Sequence, residues 1–164
     1  MKSINKLGKI VSRFNILPRK LRATIISKIF GGAVKFAGTA GIRFDKLTFK
    51  EAELSIENRK KVQNHIKSVH AAATALLGET ASGFLVGLHV PDDRLPLLKS
   101  MHIDYVKRST GKLTATCELT DEEINMIRNT EKGEITITVK VTDENNIEPV
   151  IAKYDWAWIP KPKK

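Results

Sequence analysis

Asn64, His70 and Glu79 are the side chains in this 164-residue chain whose types and spacing could do chemistry together, with His65 beside the first. They place an amide, an imidazole and a carboxylate around the start of what reads as one helix. Asn64 and His70 fall in the entry loop, and Glu79 lies about two and a half turns inside at roughly 3.6 residues per turn. A helix start offers unpaired backbone N–H groups and the positive end of the macrodipole. Such donors polarise a carbonyl while a nearby carboxylate activates water or attacks directly. The pattern points to hydrolysis of an acyl compound.

Each residue also has a plainer reading. Glu79 is flanked by Ala75, Leu76, Leu77, Ala81, Gly83, Phe84 and Leu85, and a lone carboxylate among apolar groups is costly unless paired or used. Desolvation would raise its pKa and suit it to act as a base near neutrality. The alternative is a carboxylate at an exposed helix edge, or one paired across a subunit contact. Asn64 could orient water or a carbonyl, or serve as an ordinary turn residue. His70 could meet the substrate or hold the loop, and His65 reads as a rim residue. His89 and His102 have no partner pattern. No metal is expected: His65, His70 and Glu79 lack the rhythm of a zinc motif such as H-E-x-x-H. Ser68 lies near His70, but no G-x-S-x-G elbow surrounds it.

The run Arg59-Lys60-Lys61-Val62-Gln63-Asn64-His65, then Ser68-Val69-His70-Ala71-Ala72-Ala73, then Glu79 resembles the hotdog-fold acyl-CoA thioesterases. Within that group it is most similar to the phenylacetate-pathway type and to a bacterial branch known as a domain of unknown function (DUF4442). The likeness is specific from Asn64 to Glu79 and diffuse from about 41 to 160. It implies an α+β hotdog fold, in which a curled antiparallel sheet wraps a central helix, and at least a homodimer with sites at the interface. Glu79 of one subunit would face Asn64, His70 and the Ala71 amide of the other. His65, Lys67, Ser68, Ala72, Lys107 and Arg108 would contact an acyl-CoA substrate, the basic ones at its phosphates. No cofactor is implied. Characterised thioesterases usually carry Gly-Gly after the His where this chain has Ala71-Ala72. Alanine keeps the backbone donors, but its methyl crowds the close approach that glycine permits.

Composition sets the frame. The chain suits one domain with a real core, and its 41% apolar and 28% charged residues are ordinary for a soluble protein. The single Cys117 excludes a disulfide framework within the chain. Net charge is +10, and all of the excess sits in residues 1–44, which hold ten Lys or Arg and no acid before Asp45. A basic leader on a neutral body is not the footprint of a nucleic-acid-binding core. No apolar run approaches the roughly 20 residues of a membrane span, and a cytoplasmic setting is expected. Basic amphipathic helices can dock on anionic membrane surfaces, so residues 1–35 are candidates for peripheral contact with the inner face of a membrane. The plainer reading packs them on the sheet.

These residues need elements to position them. Ile4, Leu7, Ile10, Val11, Phe14 and Leu17 follow helical spacing. Pro18 opens a second helix with Leu21, Ile25, Ile26, Ile29 and Phe30, for which Gly31-Gly32 is the expected stop. Residues 1–40 are thus a basic helical segment of two helices. Strands are expected over about 41–48 and 52–56, then an apolar helix from His70 to Leu88. Pro91, Asp92, Asp93 and Pro96 mark a loop. Four more strands follow, with a short helix capped by Thr120 between the second and third. The hotdog domain spans 41–160, and 161–164 form a disordered tail. Two rivals to hydrolysis stay open: a hotdog module that binds acyl-CoA without turnover, and a membrane-peripheral interaction protein acting through the N-terminus.

Overall fold

The computed structural model describes residues 4–14 and 16–162. Lys2 and residues 163–164 of the expected tail lie outside the described residues. In chain order the elements are α1 (Lys6–Phe14), α2 (Arg19–Ala33), α3 (Lys35–Ala40), β1 (Arg43–Leu47), β2 (Glu51–Ile56), α4 (Ala71–Gly87), β3 (Arg94–Tyr105), β4 (Leu113–Glu118), α5 (Asp121–Asn129), β5 (Gly133–Thr142) and β6 (Val150–Pro160). The six strands form one antiparallel sheet in the order β1-β2-β4-β5-β6-β3. Alternation in the sequence predicts which side chains face inward, and the structure agrees. Leu113, Ala115 and Cys117, then Ile135 to Val141, then Val150 to Trp158 point alternately into the core.

The sheet closes around α4, whose Leu77, Ala81, Leu85 and Val86 are fully buried. Two aromatic side chains of β6 lock that helix in place. The Tyr154 hydroxyl donates to the Ala75 carbonyl at 3.0 Å, and the Trp156 indole N–H donates to Ser82 Oγ at 3.0 Å. Glycine makes the approach possible, since a Cβ at Gly78 would sit 2.3 Å from the Tyr154 oxygen. The sheet leaves part of the helix uncovered. Ala71 and Ala72 are exposed, and Leu76, Glu79 and Gly83 are only half-buried.

Three further departures have physical reasons. Gly31-Gly32 does not stop α2. Gly31 instead admits the backbone of Gly38, where a Cβ would lie 2.3 Å from the Gly31 oxygen, and a third helix, α3, follows after Val34. Pro96 lies within β3 rather than in a loop; proline is tolerated there because β3 is an edge strand. Lys161, at the start of the expected tail, is held by its N–H to the Asp93 carbonyl at 2.9 Å and by Nζ to the Asp92 carbonyl at 2.7 Å. Thr120 forms a full capping box with Glu123 at the start of α5.

Packing runs straight across residue 40. Val11, Ile26, Phe30 and Ala37 belong to the same buried cluster as α4 and the sheet, and Phe30, Phe44 and Phe84 stack with centroids 4.6–5.3 Å apart. Asn5 Nδ2 donates to the carbonyls of Gly87 and Val90, each at 2.7 Å. These satisfy acceptors at the C-terminal end of α4 that a helix leaves unpaired.

Candidate active site

The loop that enters α4 is closed by its own polar groups. Asn64 Oδ1 accepts from the N–H groups of Ile66 and Ser68, both at 3.1 Å, and the Asn64 N–H donates to the Ser68 carbonyl at 2.9 Å. Asn64 therefore shapes the loop, as asparagine does in an Asx turn. The tight path drives Lys67 into the left-handed region at φ 62°, which costs a residue with a Cβ about 1–2 kcal/mol. Arg108 clamps the loop from outside, donating to the Ile66 carbonyl at 3.0 Å and to Ser68 Oγ at 3.5 Å. Buried Ser68 donates in turn to the Ser109 carbonyl at 3.0 Å.

His70 ends this loop and caps the helix. Its Nδ1 accepts the Ala72 N–H at 3.0 Å, which places the ring proton on Nε2. One of the two alanine donors is thereby taken. Among the described residues no acceptor meets the Ala71 N–H. The Ala71 carbonyl accepts from the Tyr105 hydroxyl at 2.7 Å, so an edge-strand side chain fixes the orientation of the first peptide of the helix.

Glu79 lies eight residues beyond Ala71, about 12 Å along the axis at 1.5 Å per residue. Within one protomer the carboxylate and the free donor are too far apart to share a carbonyl. Burial pushes the Glu79 carboxyl above its ordinary range, opposed by the Thr80 hydroxyl at 3.4 Å. That hydroxyl lies nearer to the Leu76 carbonyl, at 2.7 Å, so it holds Glu79 weakly. The carboxylate borders a cavity of about 250 Å³ walled by Leu7, Val34, Gly83, Phe84, Pro96 and Trp156. A Cβ at Gly83 would sit 2.6 Å from the Trp156 ring, whereas one at Gly87 would meet Leu7 at an ordinary 3.4 Å.

The expected site residues divide among three places. Asn64, Ser68, Ala71, Lys107 and Arg108 line a cavity of about 160 Å³. His70 and Ala72 line another of about 210 Å³ beside Phe36 and Leu76. Glu79 lines the third. His65 and Lys67 are exposed on the loop and line none of these. Sequence reasoning missed Tyr105, Leu7, Val34 and Trp156, which reach the site from distant parts of the chain. A signal for the third cavity was present in the sequence: Glu79, Gly83 and Gly87 recur every four residues, which leaves one helix face without bulk beside the acid. Among the described residues no group of His, Cys, Asp and Glu could hold a metal ion.

Comparison with solved structures shows the fold. A protein of unknown function from Pseudomonas aeruginosa, described as a probable thioesterase, superposes with a TM-score of 0.73 at 21% identity, covering 88% of this chain and 97% of that one. A thioesterase enzyme from Staphylococcus aureus gives 0.66 at 19% identity, covering 77% and 99%. A thioesterase from Haemophilus influenzae gives 0.63 at 12% identity, covering 76% and 82%. The fold shared with these structures is the hotdog fold. Within it the chain belongs to the family described as Domain of unknown function (DUF4442), whose model matches residues 22–159. Among curated proteins none matches the sequence significantly.

Proposed function

We propose that this protein hydrolyses acyl thioesters, with fatty acyl-CoA as the substrate class, and that it works as a homodimer. The observation that carries the reading is Glu79, a weakly held carboxylate with a raised pKa, set at the mouth of an apolar cavity on the central helix. A general base near neutrality needs those properties. An engineered cavity of about 150 Å³ takes benzene; by that scale the 250 Å³ here suits an acyl body of roughly ten carbons.

The chemistry needs a second copy because of the 12 Å gap between Glu79 and Ala71. β3 is an open edge, with Leu95, Leu97 and Met101 exposed along it, and such an edge invites pairing with another chain. Across that contact Glu79 of one subunit would take a proton from water as its oxygen attacks the thioester carbonyl. The Ala71 N–H of the other would receive the developing oxyanion, worth about 3–4 kcal/mol per donor. Collapse would expel the thiolate, which recovers the proton from Glu79 and leaves as the thiol. Asn64 and His70 hold the donor in place, and Lys107 and Arg108 are the candidates for coenzyme A phosphates.

One observation favours the rival reading of binding without turnover: with the Ala72 N–H held by His70, a single alanine donor serves the oxyanion. A screen over short, medium and long acyl-CoAs, run beside Glu79→Gln, decides between them. Turnover in the wild type and none in the variant is expected. Intact acyl-CoA recovered from the wild type after long incubation would refute the enzymatic reading.

A further inference from the structure

Helix α2 is apolar on two sides and buries only one. Ala23, Ile26 and Phe30 go into the core. Leu21, Ile25 and Ile29, spaced four apart, form a second stripe lying more than a third of a turn away at 100° per residue. Leu21 is 50% exposed and Ile29 40%. The same N-terminal region exposes Ile16 at the α1–α2 turn and Phe36 on α3, at 88% and 65%. Single exposed apolar side chains need no explanation, but a group of them in one segment does.

Charge says what covers them. Lys9, Arg13, Lys20, Lys28 and Lys35 are exposed, and none pairs with an acid among the described residues. Arg19 of α2 reaches across to the body and pairs with Glu53 at 3.0 Å. Between α2 and α3 an open groove of about 760 Å³ is lined by Lys28, Lys35 and Arg43 and by no acid. No acid precedes Asp45 anywhere in the sequence. A protein partner would have to be both apolar and strongly acidic over this face, whereas an anionic bilayer offers apolar chains beneath a sheet of phosphates.

We propose that the outward face of α2, with the α1–α2 turn and Phe36, docks on the surface of an anionic membrane. Ile16, Leu21, Ile29 and Phe36 enter the boundary between headgroups and acyl chains, and the lysines meet the phosphates. Among the described residues no helix is long and apolar enough to cross a bilayer, and the contact proposed is a peripheral one. It does not depend on the proposed hydrolysis.

The test is co-sedimentation of the full chain with phosphatidylcholine vesicles with and without roughly a third phosphatidylglycerol. The protein is expected to pellet with the anionic vesicles only, and to be released as salt is raised and the Debye length shrinks. Combined Lys20→Glu, Lys28→Glu and Lys35→Glu should lower partitioning at least about a hundredfold, at roughly fivefold for each charge. Leu21→Ser with Ile29→Ser should lower it about tenfold. All these positions are exposed, so thermal unfolding should move little. Absence of pelleting, equal pelleting with neutral vesicles, or indifference to the lysine changes would each overturn the proposal. So would conversion of a lipid-free dimer to monomer by the Leu21 and Ile29 changes, since the stripe would then belong to a contact between copies.

Discussion

The two ends of the catalytic proposal sit on one helix and are built in opposite ways. At its start the polar groups are tied down: Asn64, Ser68, Arg108 and His70 are hydrogen-bonded to the loop or its neighbours, and Lys67 is forced to a left-handed backbone to close it. Two turns on, Glu79 has one long hydrogen bond and an apolar cavity beside it. Rigidity at the start keeps a backbone donor aimed without reorganisation. Poor solvation in the middle would keep the proposed base reactive. In the proposed mechanism the same helix thus separates positioning from reactivity, at a small cost in stability at each place.

Changing Glu79 should break this contrast most severely. Glu79→Gln is expected to lower kcat/KM on acyl-CoA by about a thousandfold or more. It should also stabilise the fold at pH 8, because a folded-state pKa raised above 4.5 means that the charged form is disfavoured there. Loss of activity together with a lower unfolding midpoint would count against the description of Glu79 as an uncompensated acid.

A second titratable group, just past the C-terminal end of α4, shows what a fully spent buried side chain does. His89 donates Nε2–H to the Phe49 carbonyl at 2.6 Å and accepts from Arg128 at Nδ1. Burial first, with the Arg128 charge, holds its pKa down at about 4, against 6.5 in the ordinary case. Its folded pKa lies below its unfolded one, so its contribution is present above pH 6.5 and lost as pH falls towards 4, up to about 3 kcal/mol. Glu79 has the opposite sign, stabilising when protonated. Urea midpoints between pH 7 and 4 should therefore fall more steeply in Glu79→Gln than in wild type.

Asn64→Ala removes two acceptor contacts and should cost about 1–2 kcal/mol. Amide exchange should quicken at Ile66 and Ser68 first. Gly87→Val, placed where a Cβ meets Leu7 without collision, should shorten the preferred acyl chain, shifting the ratio of long- to short-chain kcat/KM by about tenfold. The smallest change is at the loop itself: Lys67→Gly should raise stability by about 0.5–1 kcal/mol as the left-handed strain is relieved. No gain there would mean that the loop carries little strain.

Local pattern alone was enough to read much of this molecule. Alternation in Leu113–Leu119, Ile135–Val141 and Val150–Trp158 set the inward faces, because a strand's side chains must point to opposite sides of the sheet. Thr120 announced α5 for an equally local reason, and the Asn64 to Glu79 run marked the region proposed as the site. What no local rule could show was which of two plausible uses each residue takes. Gly31 reads as a helix stop until Gly38 is seen against it, Pro96 reads as a loop until β3 is known to be an edge, and Asn64 reads as a ligand for substrate until its oxygen is found on the loop's own N–H groups. Leu7, Val34 and Trp156 wall the Glu79 cavity from positions more than 40 residues away in the chain, and the contacts that bring them there arise only when the sheet closes around the helix. Periodicity decides which way a side chain points; which side chain it then meets depends on the packing of the whole chain.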